Sequence, residues 1–380
     1  MRVERLSLTG FRSYDALEAR FPDGPQVVVG DNATGKTNLL ESLVVLGTAR
    51  SHRAGTDGEL ITWGADFARL EASVAGARSE DAATLEVVIA RTQAGGGRKR
   101  VLVNGVARRP AALATALPVV LFAPEDMLLI SGSPALRRSS LDTIVATTVP
   151  AAAATLANYA RAITQRNNLL RAIRDGSAAP DELHFWDRVV IEDGALIVDW
   201  RRSTLGSLAE PLAAAHAEIA PEEPPLELLY LTNSQPGPDE TTQDALRRRL
   251  AETVDKEQWN GATLVGPHRD DVGFVSASRD LSGFASRGQQ RTAILAFKLA
   301  TLDLLRTTLG RPPLLLLDDV FSELDPSRRA HLVRRIGELP QAFVTTTTTD
   351  DLDPNLVAAA AVWQVTPGRL EQVGAGRSAR

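Results

Sequence analysis

The 380-residue chain contains no cysteine, which excludes disulfide frameworks and thiolate metal sites from the outset. Its five histidines, His52, His184, His216, His268 and His331, are too scattered to form a zinc cluster. No apolar run reaches the roughly 18 residues that a bilayer-spanning helix needs, and Met1-Arg2-Val3-Glu4-Arg5 lacks the charged-then-apolar order of a secretory signal. A cytoplasmic address with no membrane partner is therefore expected. Sustained heptads are also missing, so no long coiled coil is encoded. Net charge is −5, from 42 basic and 47 acidic residues, and by itself lends no support to a polyanionic partner.

The residues that are present describe a globular protein, since 44% apolar content over this length can bury a sizeable core. Arginine far outnumbers lysine and falls in clusters at Arg98-Lys99-Arg100, Arg108-Arg109, Arg137-Arg138, Arg201-Arg202 and Arg247-Arg248-Arg249. Such clusters suit solvated faces as well as they suit phosphate contacts, and sequence leaves both open.

Hydrophobic patterning divides the chain. Residues 3–8 alternate, Val27-Val28-Val29 is a continuous apolar strand, and a helix is expected from the following loop to about Leu46. Residues 84–91 alternate again, and residues 100–103 lead into Asn104-Gly105, which supplies the positive φ values of a two-residue hairpin. Between about 131 and 259 the chain turns alanine-rich and helical, over 151–174, 182–220 and 239–257, with a short strand near 226–231. A helix then begins near Gly288 with Leu295, Leu299, Leu302 and Leu305 on one face, followed by apolar strands at 314–317 and 343–346. Uninterrupted apolar strands indicate a parallel sheet covered on both faces. Residues 1–130 and 260–380 are thus expected to form one discontinuous α/β domain with a parallel core sheet and an antiparallel edge sheet. Residues 131–259 are expected to form a mainly helical arm.

Gly30-Asp31-Asn32-Ala33-Thr34-Gly35-Lys36-Thr37 fits G-x-x-x-x-G-K-[ST] directly after an apolar strand and before a helix. In that context the glycines turn backbone N–H groups around a β-phosphate, Lys36 neutralises β/γ oxygens, and the Thr37 hydroxyl suits Mg²⁺. Leu314-Leu315-Leu316-Leu317-Asp318-Asp319 has the form of a buried strand delivering a metal-side carboxylate, Asp318, with Asp319 placed to polarise a water. Ser286-Arg287-Gly288-Gln289 opens a helix and suits a second anion site, although taken alone a capping box of Ser286 with Gln289 is the simpler reading.

The order of phosphate loop, Ser286-Arg287-Gly288-Gln289-Gln290-Arg291-Thr292, Asp318-Asp319 and Ser322-Glu323-Leu324-Asp325 is that of the ABC-type ATPase heads of transporters, SMC proteins and RecF. Further strings narrow the resemblance: Thr37-Asn38-Leu39-Leu40-Glu41-Ser42, Ala49-Arg50-Ser51-His52-Arg53, Phe122-Ala123-Pro124-Glu125-Asp126, Leu136-Arg137-Arg138 and Gly266-Pro267-His268-Arg269-Asp270-Asp271. In these the chain resembles the RecF family over about residues 1–350. That resemblance implies an ABC-type, SMC-like ATPase head with a helical arm, ATP and Mg²⁺ as cofactors, and a homodimer formed around ATP. It also implies binding to duplex or gapped DNA and weak ATP hydrolysis as a switch in recombinational repair and replication restart. RecR, with RecO and RecA in the pathway, would be partners, at a nucleoid-associated cytoplasmic location.

Carried over by position, Gly30, Asp31, Asn32, Ala33, Thr34, Gly35, Lys36 and Thr37 would cradle phosphates, and Thr37 and Asp318 would hold Mg²⁺. Asp319 would aid hydrolysis, while Ser286, Gly288 and Gln289 would meet the γ-phosphate bound by the other protomer. Three departures from the wider ABC pattern stand out. Asp319 replaces the usual glutamate, Thr345-Thr346-Thr347-Thr348-Thr349 stands where many such proteins carry a histidine, and the usual glutamine is not evident near Pro124-Glu125-Asp126. Slow hydrolysis is the implied consequence. His268 and Arg269 are expected in a hydrogen-bonded loop rather than in catalysis, and Arg50 and Arg53 suit either DNA or nucleotide. A transporter ATPase is the alternative; the helical insert and Gln289-Gln290-Arg291 argue against it, and the arm is too short for a structural SMC protein.

Overall fold

The computed structural model describes residues 1–76, 81–92 and 96–374, which divide into two compact units. One comprises Met1–Asp126 with Leu295–Arg380, the other Met127–Ile294, and the chain passes from the second back to the first within the helix Arg287–Leu309. The residues 260–294 that sequence patterning groups with the α/β part therefore lie in the second unit by compactness.

Two six-stranded sheets build the first unit. The antiparallel sheet runs in the order Tyr14–Arg20, Arg2–Phe11, Phe67–Ala75, Ala83–Arg91, Gly97–Val103, Val106–Ala107. Its alternating residues send Leu6, Leu8, Leu70, Leu85 and Val87 inward and charged groups outward, the pattern of a sheet with one wet face. Asn104 and Gly105, at φ 52° and 74°, turn the last hairpin as the Asn-Gly pair requires. The second sheet runs Arg369–Gly374, Ala361–Thr366, Gly24–Val29, Gln341–Thr346, Leu314–Asp318, Val119–Phe122, and all its pairs are parallel except the first.

The helix Lys36–Thr48 is buried almost all round, with Leu39, Leu40, Leu43, Val45 and Leu46 inaccessible, because it packs against strands of both sheets. Gln341, fully buried, fastens the first strand to the core: its Oε1 accepts from the Val3 N–H at 2.8 Å and its Nε2 donates to the Val3 carbonyl at 3.0 Å.

Helices Pro134–Thr148, Ala152–Arg174, Leu183–Ile219 and Thr242–Asn260 form the second unit, together with a small antiparallel sheet in the order Arg279–Asp280, Asp271–Ser276, Leu226–Leu231. Tyr159, Val190, Ile197, Leu246 and Val265 form its core. The Gly266-to-Asp271 string ties these pieces together. Arg201 donates to both Asp142 oxygens and to the Pro267 carbonyl, Tyr230 donates to Asp270 at 2.7 Å, and Arg137 forks onto Asp271 at 2.7 Å. His268 Nε2 faces the Thr263 carbonyl at 3.2 Å. A carbonyl only accepts, so the neutral ring carries its proton there and Nδ1 accepts from the Tyr159 hydroxyl at 2.8 Å. Burial pushes the His268 pKa down to about 4. Arg269 donates twice to the same Thr263 carbonyl, so both residues sit in a hydrogen-bonded loop. No helix among the described residues is long and apolar enough to cross a membrane.

Candidate nucleotide site

In-register parallel pairing decides what meets at the sheet edge. Val29 lies opposite Thr346, Thr345 opposite Asp318, and Leu317 opposite Phe122. Immediately past these residues come Gly30, Asp319, the turn Ala123 to Asp126 and Thr347, all at the carboxyl end of one parallel sheet, where open α/β sheets hold ligands.

The loop 30–37 joins the strand Gly24–Val29 to the helix Lys36–Thr48. Ala33 and Gly35 take positive φ of 66° and 115°, which turns the backbone back on itself. Side chains are barred at both glycines: a Cβ at Gly30 would lie 2.7 Å from the Val365 carbonyl oxygen, and one at Gly35 would lie 2.9 Å from Ser13 Oγ and 3.0 Å from the Tyr14 hydroxyl. Tyr14 also donates to the Gly35 carbonyl at 3.1 Å, and Asn38 donates to Ser13 at 2.9 Å. Ser13 and Tyr14 thus brace the loop from the antiparallel sheet; nothing in their local sequence marks them, because the contact is set by tertiary packing.

Lys36 is 7% exposed, and its ammonium donates to the Gly30 and Asp31 carbonyls at 2.6 and 2.9 Å. Burial lowers its pKa, against the opposing pull of Asp319, Asp318 and Asp31. The two strand-end acids therefore share a local field with the loop lysine. Asp318 is 4% exposed and accepts from Thr345 Oγ1 at 2.6 Å. The same Thr345 oxygen accepts from the Asp319 N–H at 3.0 Å, holding Asp319 at φ 51° in the left-handed region that aspartate tolerates better than most residues. One hydroxyl positions both acids. Sequence alone marks Thr345 only as a place where a histidine is lacking. Thr346 turns to its own loop, donating to the Thr348 carbonyl at 2.8 Å.

Behind the loop, Glu41 of the same helix is fully buried and takes a two-pronged ion pair from Arg12, at 2.8 and 2.7 Å, and a hydrogen bond from Ser51. Burial opposes its ionisation, but these donors hold its pKa below the ordinary carboxylate value. Ser51 accepts from the Arg53 and Ala54 N–H groups, so the 50–54 loop is fastened to the helix. His52 in that loop has both ring nitrogens buried without a hydrogen-bond partner among the described residues; burial lowers its pKa against the fields of Glu41, Glu125 and Asp318. Arg53 lies 3.7 Å from Glu125, and Arg50 is exposed. Asp126 caps its own turn through the Ala123 N–H and pairs with Lys298 at 2.6 Å.

Ser286 lies in the other compact unit. Its Oγ accepts from the Gln289 N–H at 3.3 Å while Gln289 Oε1 accepts from the Ser286 N–H at 3.0 Å, so the capping box is formed. That bond uses a lone pair of the hydroxyl and leaves its proton able to donate to an anion. A notional Cβ at Gly288 would, outside its own helix backbone and among the described residues, approach only Ser286 Oγ, at 3.8 Å.

The donor set fits a nucleotide with Mg²⁺. A backbone turned by Ala33 and Gly35, a buried ammonium and a helix start suit phosphate, and one hydroxyl with one carboxylate, Thr37 and Asp318, suits a hard cation that keeps water and phosphate oxygens as its remaining ligands. Among the described residues no group of three or more His, Cys, Asp or Glu could hold a metal by protein ligands alone.

Residues 2–366 match the family model described as RecF/RecN/SMC N terminal domain. A curated relative from Symbiobacterium thermophilum, named DNA replication and repair protein RecF, is 40% identical over 360 residues, covering 93% of each chain. Among solved structures, the recombination mediator protein RecF-ATPrS of the RecFOR pathway superposes with a TM-score of 0.88 at 27% identity, covering 98% of each chain. The RecF-ATP structure gives 0.86 at 27% identity, over 98% of this chain and 99% of that one.

Proposed function

The chain belongs to the RecF/RecN/SMC family, among its RecF members, and on that premise we propose that it is an ATP-switched DNA-binding protein of recombinational repair and replication restart. The observation that carries this reading is the meeting of the 30–37 loop, Lys36 and the Asp318–Thr345–Asp319 set at one sheet edge. In this proposal Gly30 to Thr37 cradle the phosphates of ATP, and Thr37 and Asp318 hold Mg²⁺, which when bound neutralises charge on the β and γ oxygens. Asp319 orients the attacking water and accepts its proton, and its reach, one methylene shorter than that of glutamate, makes hydrolysis slow. ATP binding joins two copies, with Ser286, Gly288 and Gln289 of one facing the nucleotide held by Lys36 of the other. Functionally the head takes in residues 260–380 with 1–130, since the helix Arg287–Leu309 carries the Ser286 turn at its start, and 131–259 acts as the arm. The joined heads grip duplex or gapped DNA by its phosphates and, with RecR and RecO, help place RecA.

A mixing experiment tests the shared site. Lys36→Ala and Ser286→Arg are each expected to abolish hydrolysis alone, the first by removing the phosphate-binding cation, the second by placing a bulky cation where a hydroxyl should meet phosphate. In a mixed dimer one site is whole and the other doubly broken. Steady-state ATPase on a titrated mixture is expected to rise above both parents and peak near equal amounts. A Ser286→Arg protein that hydrolyses ATP at the parental rate by itself would reduce Ser286 to its capping role.

A further inference from the structure

The five arginine clusters have separate fates. Arg247 pairs with Asp244, Arg248 with Glu240 and Glu252, and Arg249 with Glu252. Arg137 is engaged by Asp271, Arg138 by the Asp270 carbonyl and Arg201 by Asp142, while Arg202 binds Gln235 and lies over the Tyr230 ring. Arg98, Arg100, Arg108 and Arg109 differ: all are exposed, and among the described residues none has a carboxylate within ion-pair distance.

Sheet register brings these two clusters together. The strand Gly97–Val103 pairs with Val106–Ala107 through Val103 opposite Val106 and Leu102 opposite Ala107. The Arg108 N–H continues that register by donating to the Val101 carbonyl at 3.0 Å, which sets Arg109 beside Arg100. Residues two apart on a strand share a face, so Arg98, Arg100 and Arg109 look out from one face of this sheet margin, neighbours spaced by roughly 5–7 Å. That is within a Debye length of about 8–10 Å, and their fields add. The carboxylate that the register brings to the same face, Glu86 opposite Leu102, is already engaged by Arg69 at 3.0 Å. In a chain of net charge −5 this is thus a local concentration of guanidinium without ion-pair partners among the described residues, the group whose fork best matches phosphate oxygens. Lys99, between the two strand arginines, points the other way: it pairs with Asp57 at 2.6 Å and donates to the Ala49 carbonyl at the end of the phosphate-loop helix.

We propose that the outer margin of the antiparallel sheet, formed by Arg98, Arg100 and Arg109, is a docking surface for the phosphodiester backbone of DNA, read without regard to sequence. The proposal rests on the DNA-binding reading above and assigns it a face. Duplex binding by the full-length chain with ATP, followed by fluorescence anisotropy over a series of salt concentrations, tests it. Each phosphate contact contributes roughly 0.9 to the log–log salt slope, so Arg98→Ala/Arg100→Ala/Arg109→Ala is expected to flatten the slope by about 2–3 and weaken binding equally on unrelated sequences. Arg98→Lys/Arg100→Lys/Arg109→Lys keeps the charge and is expected to keep the slope. Arg247→Ala/Arg248→Ala, which removes arginines already paired, is the control and is expected to bind as the parent does. A triple alanine variant with parental affinity and slope overturns the assignment while leaving DNA binding by the parent intact, as does an effect confined to the control. A parent with no affinity for DNA at low salt removes the DNA reading itself.

Discussion

Thr345 shows how much of the candidate site's arrangement can hang on one hydroxyl. It gives its proton to the Asp318 carboxylate and takes the Asp319 N–H on its lone pair, so the first acid is aimed and the second is held at positive φ by the same atom. Thr345→Val keeps the shape and removes both bonds. The result is a buried carboxylate short of a donor and a backbone N–H without an acceptor, each a cost of roughly 1–3 kcal/mol. Misaiming equivalent to one such bond, near 1.4 kcal/mol in the transition state, corresponds to about a tenfold loss of kcat. Thr345→Val is expected to show that loss with a raised Mg²⁺ requirement, and Thr345→Ser to restore both. Steady-state ATPase against Mg²⁺ concentration reads it, and an unchanged valine variant would mean that Asp318 and Asp319 hold their positions without help.

Elements were legible in the sequence where their signal is local. The phosphate loop between an apolar strand and a helix, the Asn104-Gly105 hairpin and the Leu314–Asp318 strand each carry their chemistry within a few neighbouring residues. The strand Ala361–Thr366 escaped because its place depends on pairing with Gly24–Val29, more than 300 residues away, and Arg369–Gly374 with it, because that strand only adds to Ala361–Thr366 as an exposed antiparallel edge. The Tyr14–Arg20 strand escaped for a different reason: Asp15, Glu18 and Arg20 interrupt an edge strand whose buried residues, Tyr14, Leu17 and Ala19, do not alternate strictly. Tyr14 and Thr345 could not be found as site residues, since their partners are fixed only by register and packing.

The loop carrying His268 makes a prediction at the same scale. Because its folded pKa is about 4 against an ordinary 6.5, the unfolded chain takes up the proton first as pH falls. The contribution of the neutral ring is whole above pH 6.5 and is lost progressively down to pH 4, by up to about 3 kcal/mol at 1.36 kcal/mol per unit. His268→Gln does not titrate. In denaturant unfolding at a series of pH values, the gap between parent and variant is expected to be largest near neutrality and to close towards pH 4; a constant gap would show that the imidazole is equally protonated in both states.

At the scale of the whole molecule, the two units differ in how the chain is shared between them. The second is one continuous stretch, Met127–Ile294, whereas the first needs both ends of the chain. Gly24–Val29 sits between Gln341–Thr346 and Ala361–Thr366, and the first strand is fastened by Gln341. During synthesis, then, the strand that precedes the phosphate loop waits for both of its neighbours until residues 341–366 are made more than 300 residues later, with Val27, Val28 and Val29 unpaired meanwhile. Long-range pairing of this kind is slow and leaves strand edges open to association, while the contiguous unit can close first. Refolding from denaturant is expected to be biphasic. Fluorescence of Trp186, in the helix Leu183–Ile219, should recover in the faster phase and that of Trp363, which donates to Gln26 at 2.9 Å in the late-completed sheet, in the slower one. Single-tryptophan variants would resolve the order. The candidate nucleotide site is thus complete only once residues 341–366 have been made, so a chain stalled before them can possess a folded arm but not the sheet edge on which that site is built.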